Sequence, residues 1–160
     1  MTKPKLTKNN RGVYQSKRAL STLCPNPAAL VLLGRSWIKP GVPHVWLLHG
    51  SLGAGKTTLI RGLLRALGVR ARVTSPTFNL VRQYQLHRQP WRLAVHIDAY
   101  RIKGCEEIRA LELPEITNDP AVLVLVEWPE NIPGWSWGPA LSFNLRHHRD
   151  GRLARVKIVS

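Results

Sequence analysis

Apolar residues along this 160-residue chain follow two alternating patterns that together predict an α/β fold. Short, almost continuously apolar runs are typical of strands covered on both faces of a sheet. They occur at residues 45–48, 91–97 and 121–126. Apolar positions that recur every three or four residues predict amphipathic helices. These occur at residues 28–37, 58–67 and 104–111. We therefore expect a three-layer domain with a central sheet.

The two ends of the chain add a hairpin and a tail. Near the C-terminus, segments 140–145 and 153–159 flank the turn Arg149-Asp150-Gly151, which predicts a β-hairpin. Residues 1–20 carry six Lys and Arg residues with almost no apolar periodicity. Such a segment buries too little surface to order itself, so we expect a flexible basic arm. Residues 21–160 would then form a single domain.

The turn between the first apolar run and the second helix predicts an anion site. Its pattern is Gly50-x-x-x-x-Gly55-Lys56-Thr57, with a strand before it and a helix after it, as a phosphate-binding loop requires. Glycines let the backbone approach an anion closely, and Lys56 would reach the β- and γ-phosphates of a nucleotide. The Thr57 hydroxyl would bind Mg²⁺. The predicted phosphate-contacting residues are Leu52, Gly53, Ala54, Gly55, Lys56, Thr57 and Thr58.

Two carboxylates follow apolar runs, at the positions where a parallel sheet collects its ligands. Asp98 ends the run 91–97, and Glu127 ends the run 121–126. A magnesium–nucleotide site needs a carboxylate near the metal, and a second can orient the attacking water. The residues alone do not rank the two acids. His96, two positions before Asp98, is predicted to pack behind the site, and is not predicted to bind a metal.

A hydroxyl-rich segment, Thr74-Ser75-Pro76-Thr77-Phe78, follows the predicted second helix. It has two readings, an ordinary turn or a switch that orders around a γ-phosphate and its metal.

The charge is unevenly distributed along the chain. The formal net charge is +15, and the 97 residues before Asp98 hold sixteen Lys and Arg residues and no acid. Such a region fits an anionic partner such as RNA or an acidic protein surface, or reflects a general basic bias without a role. No run approaches the roughly 20 apolar residues of a membrane span, and the two cysteines are far apart. We therefore expect a cytoplasmic protein without membrane contact.

Four blocks of sequence resemble the bacterial TsaE (YjeE) family of ATPases. They are Gly50-Ser51-Leu52-Gly53-Ala54-Gly55-Lys56-Thr57-Thr58, Ser75-Pro76-Thr77-Phe78, His96-Ile97-Asp98-Ala99-Tyr100-Arg101 and Val126-Glu127-Trp128-Pro129-Glu130. The resemblance covers about residues 25–160. This chain departs from the family pattern at Ser51, where members usually have Asp. Its basic N-terminal arm has no counterpart in that pattern.

The resemblance implies a small P-loop domain with a mixed sheet that binds ATP and Mg²⁺. Thr57 and Glu127 would hold the metal, and Lys56 and the loop amides would hold the phosphates. Asp98 would assist hydrolysis, Thr77 would act within a switch segment, and Trp128 would lie beside the nucleotide.

The family works with TsaD and TsaB, which transfer a threonylcarbamoyl group to adenosine 37 of tRNA. Its slow ATPase activity turns that complex over. This protein would contact tRNA indirectly, through that complex. The alternative is a direct contact through the basic N-terminal region. Two other functions remain possible from the residues alone: a small-molecule kinase that uses the same loop, and a nucleotide-gated binding module without hydrolysis.

Overall fold

The computed structural model describes residues 7–8, 14–15, 19–76, 80–88, 90–102, 105–109 and 111–160. Its strands are β1 (Thr7–Lys8), β2 (Tyr14–Gln15), β3 (Leu20–Cys24), β4 (Val45–His49), β5 (Val81–Gln85), β6 (Leu93–Asp98), β7 (Val122–Glu127), β8 (Ala140–His148) and β9 (Gly151–Val159). Its helices are α1 (Pro27–Arg35), α2 (Lys56–Ala66), α3 (Cys105–Arg109) and α4 (Leu113–Thr117), with 3₁₀ turns at Ala99–Arg101 and Pro129–Asn131.

Seven strands form one mixed sheet in the order β3-β9-β8-β4-β7-β6-β5. The central strand β4 runs parallel to β7 and β8, and β6 runs parallel to β7. The outer pairs β5–β6, β8–β9 and β3–β9 are antiparallel, and β1 pairs with β2 separately. The predicted α/β class, mixed central sheet and C-terminal hairpin are confirmed.

The core lies on both faces of the sheet. Helices α1 and α2 cover one face, where Leu59, Leu63 and Leu64 of α2 are completely buried. The short α4 and its neighbours cover the other face around β6 and β7. Strand β7 is buried at every position, as its unbroken apolar run predicts. The sheet is therefore the middle of three layers.

Local signals set the start of α1. The Asn26 side chain accepts a hydrogen bond of 2.9 Å from the amide of Ala29, and Pro27 takes the first helical position. This cap satisfies an amide that would otherwise lack a partner at the helix start. It also fixes the chain direction between β3 and α1, beside the phosphate loop.

Besides β1 and β2, strand β3 and helix α4 were not predicted. Strand β3 pairs with β9, about 130 residues further along the chain, so no local pattern marks it. Helix α4 follows Glu112, whose positive φ of 47° separates this helix from the predicted helix 104–111. Within the predicted helix, the structure describes α3 over five residues, and Leu111 lies in a turn.

The predicted basic arm lies largely outside the described residues. Within it, the structure describes β1 and β2, and the main sheet begins at Leu20. The flexible arm therefore stays a prediction. Among the described residues, no helix combines the length and the apolar character that crossing a bilayer requires.

Candidate functional site

The predicted phosphate-binding loop connects β4 to α2 and needs its glycines where they stand. Gly50 has a φ of 136°, and a β-carbon there would overlap the carbonyl oxygen of Leu145 on β8. Gly55 has a φ of 104° at the position that precedes α2. Residues with a β-carbon rarely adopt these conformations. The loop can therefore wrap around the N-terminus of α2, where unpaired amides favour an anion.

A cavity of about 410 Å³ opens beside this loop. Its loop side consists of Leu52, Gly53, Gly55, Lys56, Thr57 and Thr58, and its other side of Ser75, Asp98, Tyr100, Arg101, Glu127 and Trp128. Ala54 belongs to the predicted set but does not line the cavity. Its side chain is buried in the core, and its amide donates to the carbonyl of Ser51 at 3.1 Å. The cavity thus joins the loop to residues from three later segments.

The two predicted acids lie side by side at the carboxyl end of the sheet. Asp98 and Glu127 are directly paired residues on the parallel strands β6 and β7, and both are buried. The Thr57 hydroxyl donates to Glu127, at 2.9 Å from Oε1 and 3.1 Å from Oε2. Asp98 instead accepts hydrogen bonds from the Ser75 hydroxyl and from the amide of Tyr100. The structure therefore distinguishes the acids, because Glu127 contacts the loop threonine and Asp98 contacts the hydroxyl-rich segment.

Thr57 and Glu127 together fit a magnesium ion by their chemistry. Both offer oxygen ligands, and magnesium in nucleotide sites takes one or two carboxylates, with phosphates and water at its other positions. The described residues contain no group of three or more His, Cys, Asp or Glu side chains placed to hold a metal. Such a group is not required for this type of site, because the nucleotide itself supplies ligands.

His96 supports Glu127 from behind. It is completely buried on β6, and its Nε2 lies 2.9 Å from Oε1 of Glu127. A carboxylate accepts hydrogen bonds, so Nε2 is the protonated nitrogen that donates. The other ring nitrogen, Nδ1, has no hydrogen-bond partner among the described residues. As predicted, His96 packs behind the site.

Lys56 is buried and held by neutral groups. Its Nζ donates to the carbonyl oxygens of Gly50 at 2.6 Å and Ser51 at 3.1 Å, and it lies 3.6 Å from the ring centre of Trp128. Burial lowers the pKa of Lys56 below its ordinary value of 10.5, and the nearby charges of Glu127, Glu130 and Asp98 partly offset this effect. The contact with the ring is a cation–π interaction, which a desolvated site strengthens. The family resemblance implied that Trp128 lies beside the nucleotide, but the contact with Lys56 was not predicted.

A second cavity, of about 140 Å³, lies on the other side of the loop. It shares Gly53, Gly55 and Thr58 with the first cavity, and residues 24–27, Leu30 and residues 151–152 complete it. Arg152 contributes a hydrogen bond from Nη2 to the carbonyl of Gly53 at 3.2 Å. Sequence reasoning missed these residues, because only the pairing of β3 with β9 brings them to the loop. Thr77, the remaining predicted residue, lies outside the described residues.

A family model described as "Threonylcarbamoyl adenosine biosynthesis protein TsaE" matches residues 24–155, most of the chain. The chain belongs to the TsaE family. A protein of Rickettsia typhi named "tRNA threonylcarbamoyladenosine biosynthesis protein TsaE" is 40% identical over 122 residues, which are 75% of this chain and 80% of that protein. The Haemophilus influenzae protein of the same name is 34% identical over 105 residues, 66% of this chain.

The matched segment spans only 64% of the Haemophilus influenzae TsaE, less than two thirds of its length. Among solved structures, Bacillus subtilis YdiB resembles the fold with a TM-score of 0.67 at 26% sequence identity. That match covers 89% of this chain and 86% of YdiB. The family and the P-loop type of fold agree with the resemblance inferred from the four sequence blocks.

Proposed function

We propose that this TsaE-family protein is a Mg²⁺-dependent ATPase that serves the formation of the threonylcarbamoyl group on adenosine 37 of tRNA. It would act through partners of the TsaD and TsaB types, in the cytoplasm. The names of its relatives support the pathway. The observation that carries the ATPase assignment is the hydrogen bond from Thr57 to Glu127 beside the phosphate loop.

The loop and Lys56 would bind the phosphates. Lys56 already points its ammonium group at the loop carbonyls of Gly50 and Ser51, so phosphate oxygens would replace neutral acceptors with charged ones. Hydrogen bonds to charged groups contribute about 1.5–3 kcal/mol each. The base would occupy the smaller cavity, because that cavity shares Gly53, Gly55 and Thr58 with the phosphate side.

Thr57 and Glu127 would hold the metal ion, and Asp98 would orient the attacking water. A bound Mg²⁺ would neutralise negative charge on the phosphates. Asp98 is a buried acceptor whose neighbour, the Ser75 hydroxyl, belongs to the segment that would order around the γ-phosphate. Thr77 of the same segment stays a candidate for catalysis.

The first experiment compares Glu127→Gln with Glu130→Gln. Glu130 lies three residues away, pairs with His49 at 2.9 Å, and does not line the larger cavity, so it controls for the loss of one local charge. Glu127→Gln should abolish most Mg²⁺-dependent ATP hydrolysis and weaken ATP binding more in Mg²⁺ than in EDTA. Glu130→Gln should keep hydrolysis near the wild-type rate. Equal losses in Mg²⁺ and EDTA for Glu127→Gln would contradict the metal assignment.

The second experiment tests the partners. ATP hydrolysis by the full chain is measured alone, with a TsaD–TsaB complex, and with small hydroxyl-bearing acceptors. The proposal expects stimulation by the complex and none by the acceptors, with inorganic phosphate as the product. Phosphoryl transfer to an acceptor would favour the kinase alternative. Single-turnover cleavage by wild type and Asp98→Ala tests for a binding module, because such a module would cleave no ATP even as wild type.

A further inference from the structure

None of the helices that the structure describes covers one face of the β3–β9–β8 part of the sheet. Side chains along a strand alternate between the two faces, and Leu145, Ala154 and Val156 point into the core beneath α1 and α2. The residues between them point the other way, and most are exposed. We call this surface the open face, defined by Leu23, Asn144, Arg146, Leu153, Arg155 and Lys157.

The open face is positively charged. Arg146, Arg155 and Lys157 are all exposed, and within the described part of the chain none of them forms an ion pair. Arg146 donates to the side chain of Asn144 at 3.1 Å, which orients its guanidinium group over the sheet. The nearest acid in the hairpin is Asp150 at the turn, and it is occupied by Arg149 at 3.2 Å and His148 at 3.6 Å.

The strand geometry spaces these cations regularly. Arg155 and Lys157 are alternate residues of β9 and thus about 7 Å apart along the strand. Arg146 pairs directly with Leu153, so Arg155 is its diagonal neighbour, at about 7–8 Å. Three cations at such separations can each contact a different phosphate of one nucleic-acid backbone.

The sequence before the main sheet is also basic. Strand β3 is the edge strand beside β9, and its first residue, Leu20, pairs with Val156, between Arg155 and Lys157. The eighteen residues at the start of the chain contain six Lys and Arg residues and no acid. The sequence that leads into this edge strand therefore adds positive charge and no negative charge.

The composition of the face favours RNA over a protein partner. Protein interfaces are enriched in aromatic residues, Met and Arg, and depleted in Lys. The open face has no aromatic residue, and its two exposed leucines, Leu23 and Leu153, are direct cross-strand neighbours at 43% and 36% exposure. Nucleic-acid interfaces are polar and strongly positive, and phosphate contacts dominate their affinity.

We infer that the open face binds the phosphate backbone of an RNA directly, with Arg146, Arg155 and Lys157 as contacts. The inference names a surface for a direct RNA contact and does not depend on the proposed ATPase activity. ATP hydrolysis measured on the same samples separates a failure of one from a failure of the other.

The test is binding of an unmodified tRNA transcript to the full chain between 50 and 200 mM KCl. The triple variant Arg146→Ala, Arg155→Ala, Lys157→Ala is compared with Arg61→Ala, Arg70→Ala, Arg72→Ala, which removes three exposed charges elsewhere. The logarithm of the binding constant falls linearly with the logarithm of the salt concentration, with a slope of roughly 0.7–0.9 per phosphate contact. The open-face variant, which loses three contacts, should therefore have a slope that is smaller by about 2–3. Wild-type affinity would then fall about 20- to 40-fold more than the variant's over this salt range.

The control triple variant should keep most of the wild-type salt dependence of tRNA binding. Both triple variants should retain the circular dichroism spectrum and the ATP hydrolysis of the wild type. Equal losses for the two triples would overturn the inference, because net charge alone would explain them. An open-face triple that binds tRNA like wild type would also overturn it and leave an acidic protein as the partner.

A measurement without variants gives an independent check. Acetylation of lysines in the wild-type protein, followed by mass spectrometry, should show that bound tRNA protects Lys157. Lys39, which lies over the Trp37 ring at 5.2 Å and away from the open face, should show no protection. Unprotected Lys157 under saturating tRNA would overturn the inference.

Discussion

Replacing His96 tests whether the support behind Glu127 matters for the site. His96→Leu fills a similar volume and removes the hydrogen bond of 2.9 Å to Glu127. His96→Gln is the matched control, because a glutamine amide can reach the position of Nε2 and donate to the same oxygen. The pair therefore separates the loss of the donor from the loss of the ring.

The expected cost follows from the burial of both partners. His96 and Glu127 have side chains exposed by 0% and 4%, so water cannot replace the missing donor. A hydrogen bond to a charged group in such a place contributes about 1.5–3 kcal/mol. A chain of this size loses about 2–4 °C in melting temperature per kcal/mol, so His96→Leu should melt about 3–12 °C below wild type. His96→Gln should recover most of that difference.

The functional consequence should appear with magnesium. In His96→Leu, Glu127 keeps the hydrogen bond from the Thr57 hydroxyl but loses the hydrogen bond from His96, the other donor that orients its carboxylate. Loss of such an outer partner commonly costs 10- to 100-fold in metal affinity or activity. Calorimetric ATP titrations should therefore show a larger loss for His96→Leu in Mg²⁺ than in EDTA. A leucine variant as stable as the glutamine variant, or one equally weakened with and without metal, would refute this reasoning.

Two further predictions concern the loop. Burial lowers the pKa of Lys56 below 10.5, so ATP affinity should start to fall at a pH below the ordinary lysine range. Lys56→Arg should remove this fall in affinity with pH, because arginine stays protonated. The unfolding free energy of the wild type should rise with pH between the two lysine pKa values, because the unfolded chain holds this proton more tightly. Gly50→Ala should cost at least about 2 kcal/mol in urea unfolding, since a β-carbon meets the Leu145 carbonyl at a φ of 136°. Gly50→Ala of wild-type stability would contradict the required close approach.

The loop and the two acids were predictable because their placement follows from short-range rules. The phosphate loop is one uninterrupted segment, and its glycines have positive φ for the reason that the pattern implies. The carboxyl ends of parallel strands meet at one edge of a sheet, so residues that end two neighbouring apolar runs lie together. The register confirms this, with Asp98 paired to Glu127.

The distinction between the acids depends on strand order, which no local pattern contains. Strand β7 lies between β4 and β6, so Glu127 is next to the strand that leads into the loop and meets Thr57, while Asp98 is one strand further away. The same order places His96 beside Glu127 across β6 and β7. Had β6 been the neighbour of β4, Asp98 would have been the acid nearer the loop. Which carboxylate contacts the loop threonine is thus a property of the sheet topology. The residues alone narrowed the choice to two, and only the family resemblance implied Glu127.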